Sequence, residues 1–189
     1  MELRTARLLL RTWRDEDQPR LAAINADPEV TRYLGGDGRP LTGLETATFL
    51  EGTRSHWEHW GYGLWAMELL DGRHFAGFVG PSHHRWYPAE VELGWRLERS
   101  LWSRGIATEG GATALEHAFT RLGLERLISI IHRDNLASRR VAEKIGFRPH
   151  KEESREGLPI VVYRTDRPAW EAGRRAGGAA RLTPLPRGG

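Results

Sequence analysis

Trp102-Ser-Arg-Gly-Ile-Ala-Thr-Glu109 is the stretch on which the reading of this chain turns. Glu90-Val-Glu-Leu-Gly-Trp-Arg-Leu97 precedes it, and a largely apolar run follows it to about Ala118. The pattern predicts a strand that passes through a short Arg/Gly turn into a helix. Gly105, with no Cβ, lets the backbone of that turn approach a ligand closely. The N–H groups of Arg104, Gly105, Ile106, Ala107 and Thr108 lie where a helix has no acceptors of its own, and where its macrodipole favours negative charge. A pyrophosphate fits such a terminus, and the Arg104 guanidinium could add a charge-assisted contact. A plain strand-to-helix connection satisfies the same short pattern, so the stretch alone leaves both readings open.

Upstream, Leu3 to Trp13 alternates around Leu8, Leu9 and Leu10 and predicts a first strand. Asp15 and Asp17 precede helically spaced Leu21, Ala22, Ile24 and Asn25, and a short second helix carries Val30, Tyr33 and Leu34. Gly35 to Pro40 reads as a loop, and Leu44 to Trp60 as a helix stopped by Gly61. Strands are expected at 63–70, 73–80 and 90–97, with Asp71-Gly72 as a hairpin turn and a His/Trp/Tyr/Pro loop before the third. Downstream, the central helix ends near Gly123 and a β-branched strand covers 126–131. A helix over 135–145 and two strands at 147–153 and 158–165 complete the order. This succession predicts an α+β sandwich with a mixed, mostly antiparallel sheet.

Composition limits what such a fold can do. At 189 residues and 39% apolar content, one soluble domain with a real core is expected. The formal charge is +3, and residues 171–189, with four Arg against Glu171, carry all of it. The basic balance therefore gives no reason to expect nucleic acid. Residues 1–170 form the expected domain, and 171–189, rich in Gly, Ala, Pro and Arg, are expected to be a flexible tail. The absence of cysteine excludes disulfides, thiolate nucleophiles and Cys-ligated zinc. No run approaches the ~20 apolar residues of a membrane span, and 1–20 lack a signal-peptide order, so a cytoplasmic protein without membrane partners is expected.

A second motif narrows the choice: Asn135-Leu-Ala-Ser138-Arg-Arg-Val-Ala-Glu-Lys-Ile-Gly-Phe147. Asn135 suits a helix N-cap and Gly146 the position after a helix end, while Ala137, Val141 and Ile145 are the expected buried stripe. Together with Trp102 to Glu109, this motif resembles the Gcn5-related N-acetyltransferase (GNAT) superfamily. Thr5-Ala-Arg-Leu-Leu-Leu-Arg11 and Asn25-Ala-Asp-Pro-Glu-Val30 resemble, within it, the branch that acetylates ribosomal-protein N-termini. The resemblance covers roughly residues 3 to 170 and implies a GNAT-type sheet, splayed at the site of acetyl-CoA and flanked by helices.

That resemblance also implies roles. The amides of Arg104, Gly105, Ile106, Ala107 and Thr108 would hold the pyrophosphate of acetyl-CoA. The strand backbone from Trp95 to Leu97 would run beside the pantetheine arm, and Asn135 would hold the cosubstrate through its side chain. Glu92 matches the strand carboxylate that serves as base, and part-burial would raise its pKa towards the neutral range such a base needs. Glu90, on the same face, is the lesser candidate. Many members place a proton-donating Tyr where this chain has Ala142, so Ser138, one turn earlier, is the residue that could reach the thiol. Trp102 stands where many members have Gln or Arg.

The function implied is direct transfer of an acetyl group to a primary amine in a ternary complex, the amine being a peptide N-terminus or a small molecule. A homodimer is left open. A non-catalytic acyl-CoA sensor or subunit is the alternative. His56, His59, His83 and His84 show no third ligand at metal spacing, so no metal is expected. Of Trp57, Trp60, Tyr62, Trp65, Trp86, Tyr87 and Trp95, two or three are expected to face the acceptor cleft.

Overall fold

The computed structural model describes residues 2–35 and 37–177. The elements are β1 (Leu3–Arg4), β2 (Leu8–Arg11), α1 (Asp17–Asn25), α2 (Pro28–Thr31), α3 (Gly43–Trp60), β3 (Trp65–Leu69), β4 (His74–His84), β5 (Tyr87–Leu97), α4 (Ile106–Thr120), β6 (Arg126–His132), α5 (Leu136–Lys144), β7 (Arg148–Arg155), β8 (Leu158–Asp166) and α6 (Arg167–Gly177). The strands form one 8-stranded sheet in the order β1-β2-β3-β4-β5-β6-β8-β7. Every neighbouring pair is antiparallel except β5 and β6, which are parallel and in register only at Glu92 and Ile128. The expected α+β sandwich with a mixed, mostly antiparallel sheet is therefore the fold observed, and the sheet opens where its two halves meet. Among the described residues, no helix is long and apolar enough to cross a membrane.

Strand alternation sends side chains to two separate cores. Leu8, Leu10, Trp65, Met67, Val79, Leu93 and Leu97 face α4, whose Ile106, Ala114, Leu115, Ala118 and Phe119 complete the larger cluster. The opposite face sets Ala66, Phe75 and Phe78 against Leu21 and Ile24 of α1 and Leu50 of α3. Helix α4 lies close on the sheet because of Gly110, where an added Cβ would stand 2.8 Å from Met67 Sδ. A capping box fixes the start of α3: Thr42 Oγ1 accepts from Glu45 N–H, and Glu45 accepts from Thr42 N–H at 2.8 Å.

Four expectations need correction. The first strand is two, because Thr5 reverses the chain: its N–H donates to the Leu8 carbonyl at 2.9 Å, and its Oγ1 accepts from Leu8 N–H at 2.8 Å. The loop expected before the third middle strand is a hairpin, with β4 and β5 running to His84 and Tyr87 around a two-residue turn. Pro88 made this stretch read as loop; it sits where the register shifts, so its missing N–H removes no bond from the ladder. Ala137 is exposed, and α5 instead turns Ser138, Val141, Ala142 and Ile145 inward.

The fourth correction concerns the tail expected from residue 171. Helix α6 runs through Gly177, anchored by Trp170 against Phe119 with ring centroids 5.3 Å apart, and by an Arg174–Glu116 ion pair at 2.5 Å. Arg174 also lies over the Trp170 ring. An aromatic and a cation four residues apart on one helix face supplied the adhesive surface that composition alone concealed. The rest of the expected tail, 178–189, lies outside the described residues.

Candidate active site

The opening between β5 and β6 is built from the strand outward. Beyond Glu92, the edge of β5 from Leu93 to Leu97 has no partner strand on the β6 side. The Glu92 carboxylate reaches into this gap and accepts a hydrogen bond from Ile130 N–H at 3.2 Å. Removal from water pushes the Glu92 pKa up to about 7, against the lowering effect of the Ile130 N–H. Glu90 is differently placed, with Arg126 3.9 Å away as its ion-pair partner. Trp95 and Leu97 turn their side chains into the α4 core, leaving backbone for any ligand, and the Leu97 carbonyl already accepts from Trp102 Nε1 at 3.2 Å.

The turn after β5 places the second part of the site. Gly105 caps α4 in the left-handed region with φ 77°, and Ser103 before it has φ 59°. Such alternation turns successive N–H groups into one concavity. Among the described residues, the amides of Arg104, Gly105, Ile106, Ala107 and Thr108 find no acceptor. Ile106 is buried in the core and fixes the first turn, while Arg104 is exposed.

Three residues brace this turn that sequence reasoning left without a role. Glu109 Oε1 accepts from Thr5 Oγ1 at 2.5 Å and from Arg7 N–H at 2.9 Å, and its Oε2 pairs with Arg7 Nε at 2.6 Å. Arg7 Nη1 also donates to the Arg104 carbonyl at 2.9 Å. The signal was present as Thr5-x-Arg7 near the start of the chain and as Glu109 at the end of the Trp102 to Glu109 stretch, but nothing in one dimension joins residues a hundred positions apart.

On α5, Asn135 caps the helix, its Oδ1 accepting from Ser138 N–H at 3.1 Å. The Asn135 Nδ2 donors remain uncommitted among the described residues. Ser138 is half-buried on the inner face, one turn before Ala142, which is fully buried. Ala142 packs in the core on the α4 side of the sheet, whereas Glu92, alternating with Leu93, points to the other side.

Above the Glu92 face, α1 and α3 form a wall. Tyr33, after α2, stacks on His132 at the end of β6 with ring centroids 5.2 Å apart, which ties this wall across to the other half of the sheet. Arg96, a fourth residue without an assigned role, projects from the same strand face as Glu92; counting by two from Glu92 would have found it. Of the aromatic candidates, Trp65 is fully buried and Trp57 packs on the core, whereas Trp60 is exposed and stacks on His83. His56 and His83 are engaged with each other and with Tyr62: His83 N–H donates to His56 Nε2 at 3.2 Å, and Tyr62 Oη lies 3.0 Å from His83 Nε2. Two surface depressions, one along α1 and α3 and one around Gly35 to Glu45, lie away from Glu92.

Comparison with known proteins agrees with this fold. The acetyltransferase (GNAT) domain matches residues 7–148. An uncharacterized N-acetyltransferase of Bacillus subtilis (strain 168), YoaA, is 30% identical over 150 residues, 77% of this chain and 81% of that protein. The crystal structure of an acetyltransferase from Agrobacterium tumefaciens str. C58 has a TM-score of 0.78 at 30% identity, covering 88% of this chain and 95% of its own. RimL, a ribosomal L7/L12 alpha-N-protein acetyltransferase solved with coenzyme A, shares the fold at a TM-score of 0.74 and 18% identity, over 89% of this chain and 99% of that one. With a domain match over most of its length and a relative at that level of identity, the chain belongs to the GNAT family of acetyltransferases.

Proposed function

We propose that this acetyltransferase moves the acetyl group of acetyl-CoA directly to a primary amine, with both substrates bound at the opening between β5 and β6. The reading is supported by a carboxyl whose pKa is pushed up to about 7 where β5 and β6 part, and by a helix N-terminus following the same strand whose amides have no acceptor among the described residues. The donor set fits a CoA pyrophosphate: five backbone N–H groups from Arg104 to Thr108, a positive helix end and the exposed Arg104 side chain. The free edge of β5 up to Leu97 suits the pantetheine amides, which pair as a short added strand would, and the Nδ2 donors of Asn135 would add a hydrogen bond.

Acyl transfer from a thioester needs a neutral amine, and an alkylamine is protonated at neutral pH. Glu92, ionised for about half of the molecules near pH 7, takes that proton directly or through one water. The amine nitrogen then bonds to the acetyl carbon, the carbon–sulfur bond breaks, and the electron pair leaves on sulfur. A thiolate is a good leaving group, and the Ser138 hydroxyl supports it by donating a hydrogen bond. With no cysteine in the chain, no thioester can form on the protein. The test is an acceptor panel that includes peptide N-termini and small amines, followed by CoA release. Turnover lost in Glu92→Gln with acetyl-CoA affinity retained supports the reading; unchanged turnover removes Glu92 from it.

A further inference from the structure

On β5, Glu92, Gly94 and Arg96 alternate with Leu93 and Leu97 of the α4 core, so all three present the face walled by α1 and α3. Gly94, between the other two, has nothing within 4 Å of the position a Cβ would take. The floor between a carboxyl and a guanidinium is therefore open. The two ends are four residues apart, ~14 Å along a strand, too far for them to neutralise each other.

Arg96 is half-buried yet has no carboxylate partner among the described residues. Its Nη1 donates to Asn25 Oδ1 at 2.5 Å, and its guanidinium lies 5.6 Å from the Phe49 ring centroid and 5.2 Å from that of Phe78. Asn25 is itself fixed, donating from Nδ2 to Thr46 Oγ1 at 3.0 Å, so the guanidinium is held from behind and by aromatic faces. A guanidinium has five donors, and only the one bond is made. The remaining nitrogens are not sealed away from the surface. Desolvation with no counter-charge lowers the Arg96 pKa to about 10, the reverse of what an ion pair does.

We infer that Arg96 anchors a carboxylate on the acceptor, which is an elongated amine such as a peptide of three or four residues lying over Gly94 with its amino end at Glu92. This rests on the acetyl-transfer reading of the same site and adds the substrate class to it. A free amino acid is too short, since its carboxyl carbon lies about 2.5 Å from its own nitrogen. Extended residues add ~3.3–3.6 Å each, so three or four bring an amine and a carboxylate to opposite ends of the trough. The bond formed is a two-pronged guanidinium–carboxylate contact, in surroundings that already exclude much of the competing water.

The experiment compares tetra-alanine with a free C-terminus against its C-terminal amide, by calorimetric titration onto the full chain with coenzyme A present and by CoA release with acetyl-CoA. The expected result is at least tenfold tighter binding of the free acid, reduced to no preference in Arg96→Gln and partly kept in Arg96→Lys. Equal affinity of the wild-type protein for acid and amide, or binding of neither at millimolar concentration, overturns the proposal without recourse to any variant. The two readings separate cleanly. Acetylation of both peptides without preference removes the Arg96 anchor and leaves acetyl transfer standing. Preferential binding of the acid without acetylation of either peptide keeps the anchor and removes acetyl transfer to peptides.

Discussion

Glu92 accepts a hydrogen bond from Ile130 N–H at 3.2 Å at the point where β5 and β6 part. Parallel strands normally satisfy such an amide with a backbone carbonyl. Here a side chain does so, and the strands can separate without stranding that N–H. One residue thus bridges the opening, and its carboxyl is the one proposed as the base.

The rate should follow the ionisation of that carboxyl. With its pKa pushed up to about 7, kcat/KM should rise with pH through that region and level off above it, for an acceptor whose amine does not titrate there. Glu92→Gln keeps an oxygen for Ile130 N–H and loses the base, so kcat should fall by ~10²–10⁴-fold and the rise near pH 7 should vanish. Steady-state rates from pH 5.5 to 9 decide this; an unchanged profile in the variant means another group titrates.

The same carboxyl should cost stability, and the sign can be worked out. Between its ordinary value of 4.5 and about 7, the folded protein holds a proton that the unfolded chain has released, so stability falls as pH rises through this window. Glu92→Gln removes the cost and should be more stable than wild type by about 2–3 kcal/mol at pH 8, with no advantage near pH 4.5. Urea titrations at the two pH values measure it. A variant less stable at pH 8 would mean that the carboxylate is favourably held there.

The first motif was legible because its chemistry is local: one glycine, one helix start and five amides within a few residues. Glu92 was legible through its spacing from Leu93-Gly94-Trp95 and the family pattern. Arg96 and the Thr5–Arg7–Glu109 brace were not, since their meaning depends on which strands are neighbours. Residue 96 acquires a partner only when α1 brings Asn25 over the sheet. The extended hairpin was hidden for a different reason: Pro88 forbids a ladder bond, and only the bulge makes that harmless. In the α5 stripe, Val141 and Ile145 turn inward as expected, and Ser138 takes the inward place expected of Ala137.

Arg11 should matter to stability far more than an exposed arginine. It pairs with Asp17 through Nη1 and Nη2 at 2.7 and 2.8 Å and with Glu68 through Nε at 2.8 Å, and all three side chains are buried. Replacement by Leu leaves buried Asp17 without a cation and Glu68 with only the more exposed Arg14 and Arg73, each at 3.3 Å, so Arg11→Leu should lose about 3–5 kcal/mol. Chemical denaturation at pH 7 measures it, and a loss under about 1 kcal/mol would mean that the other arginines hold the two carboxylates as well.

Arg7 braces the turn before α4 from a half-exposed position, so if that turn holds the CoA pyrophosphate, its removal should touch binding more than folding. Arg7→Ala deletes the contact to the Arg104 carbonyl and the pair with Glu109, with stability changing by about 1 kcal/mol or less. Loosening the turn should raise KM for acetyl-CoA by ~3–10-fold, more than kcat falls. Parallel measurement of melting and of KM for acetyl-CoA separates the two effects; a large drop in melting temperature with KM unchanged would make the brace structural only.

Asn135 caps α5 and is proposed to hold the cosubstrate, and a pair of substitutions can separate the two. Its Oδ1 caps α5 by accepting from Ser138 N–H, and its Nδ2 is free to donate to the cosubstrate. Asn135→Asp keeps an acceptor for the cap and replaces the donor with a second, negatively charged acceptor; Asn135→Ala removes both. If the Nδ2 donor holds acetyl-CoA, the Asp variant should raise KM for acetyl-CoA at nearly wild-type stability, while the Ala variant should also lose about 1 kcal/mol of stability from the missing cap. Thermal melting and KM in the two variants answer the question directly. Wild-type KM in both would confine Asn135 to capping and leave the cosubstrate to the amides of the α4 turn.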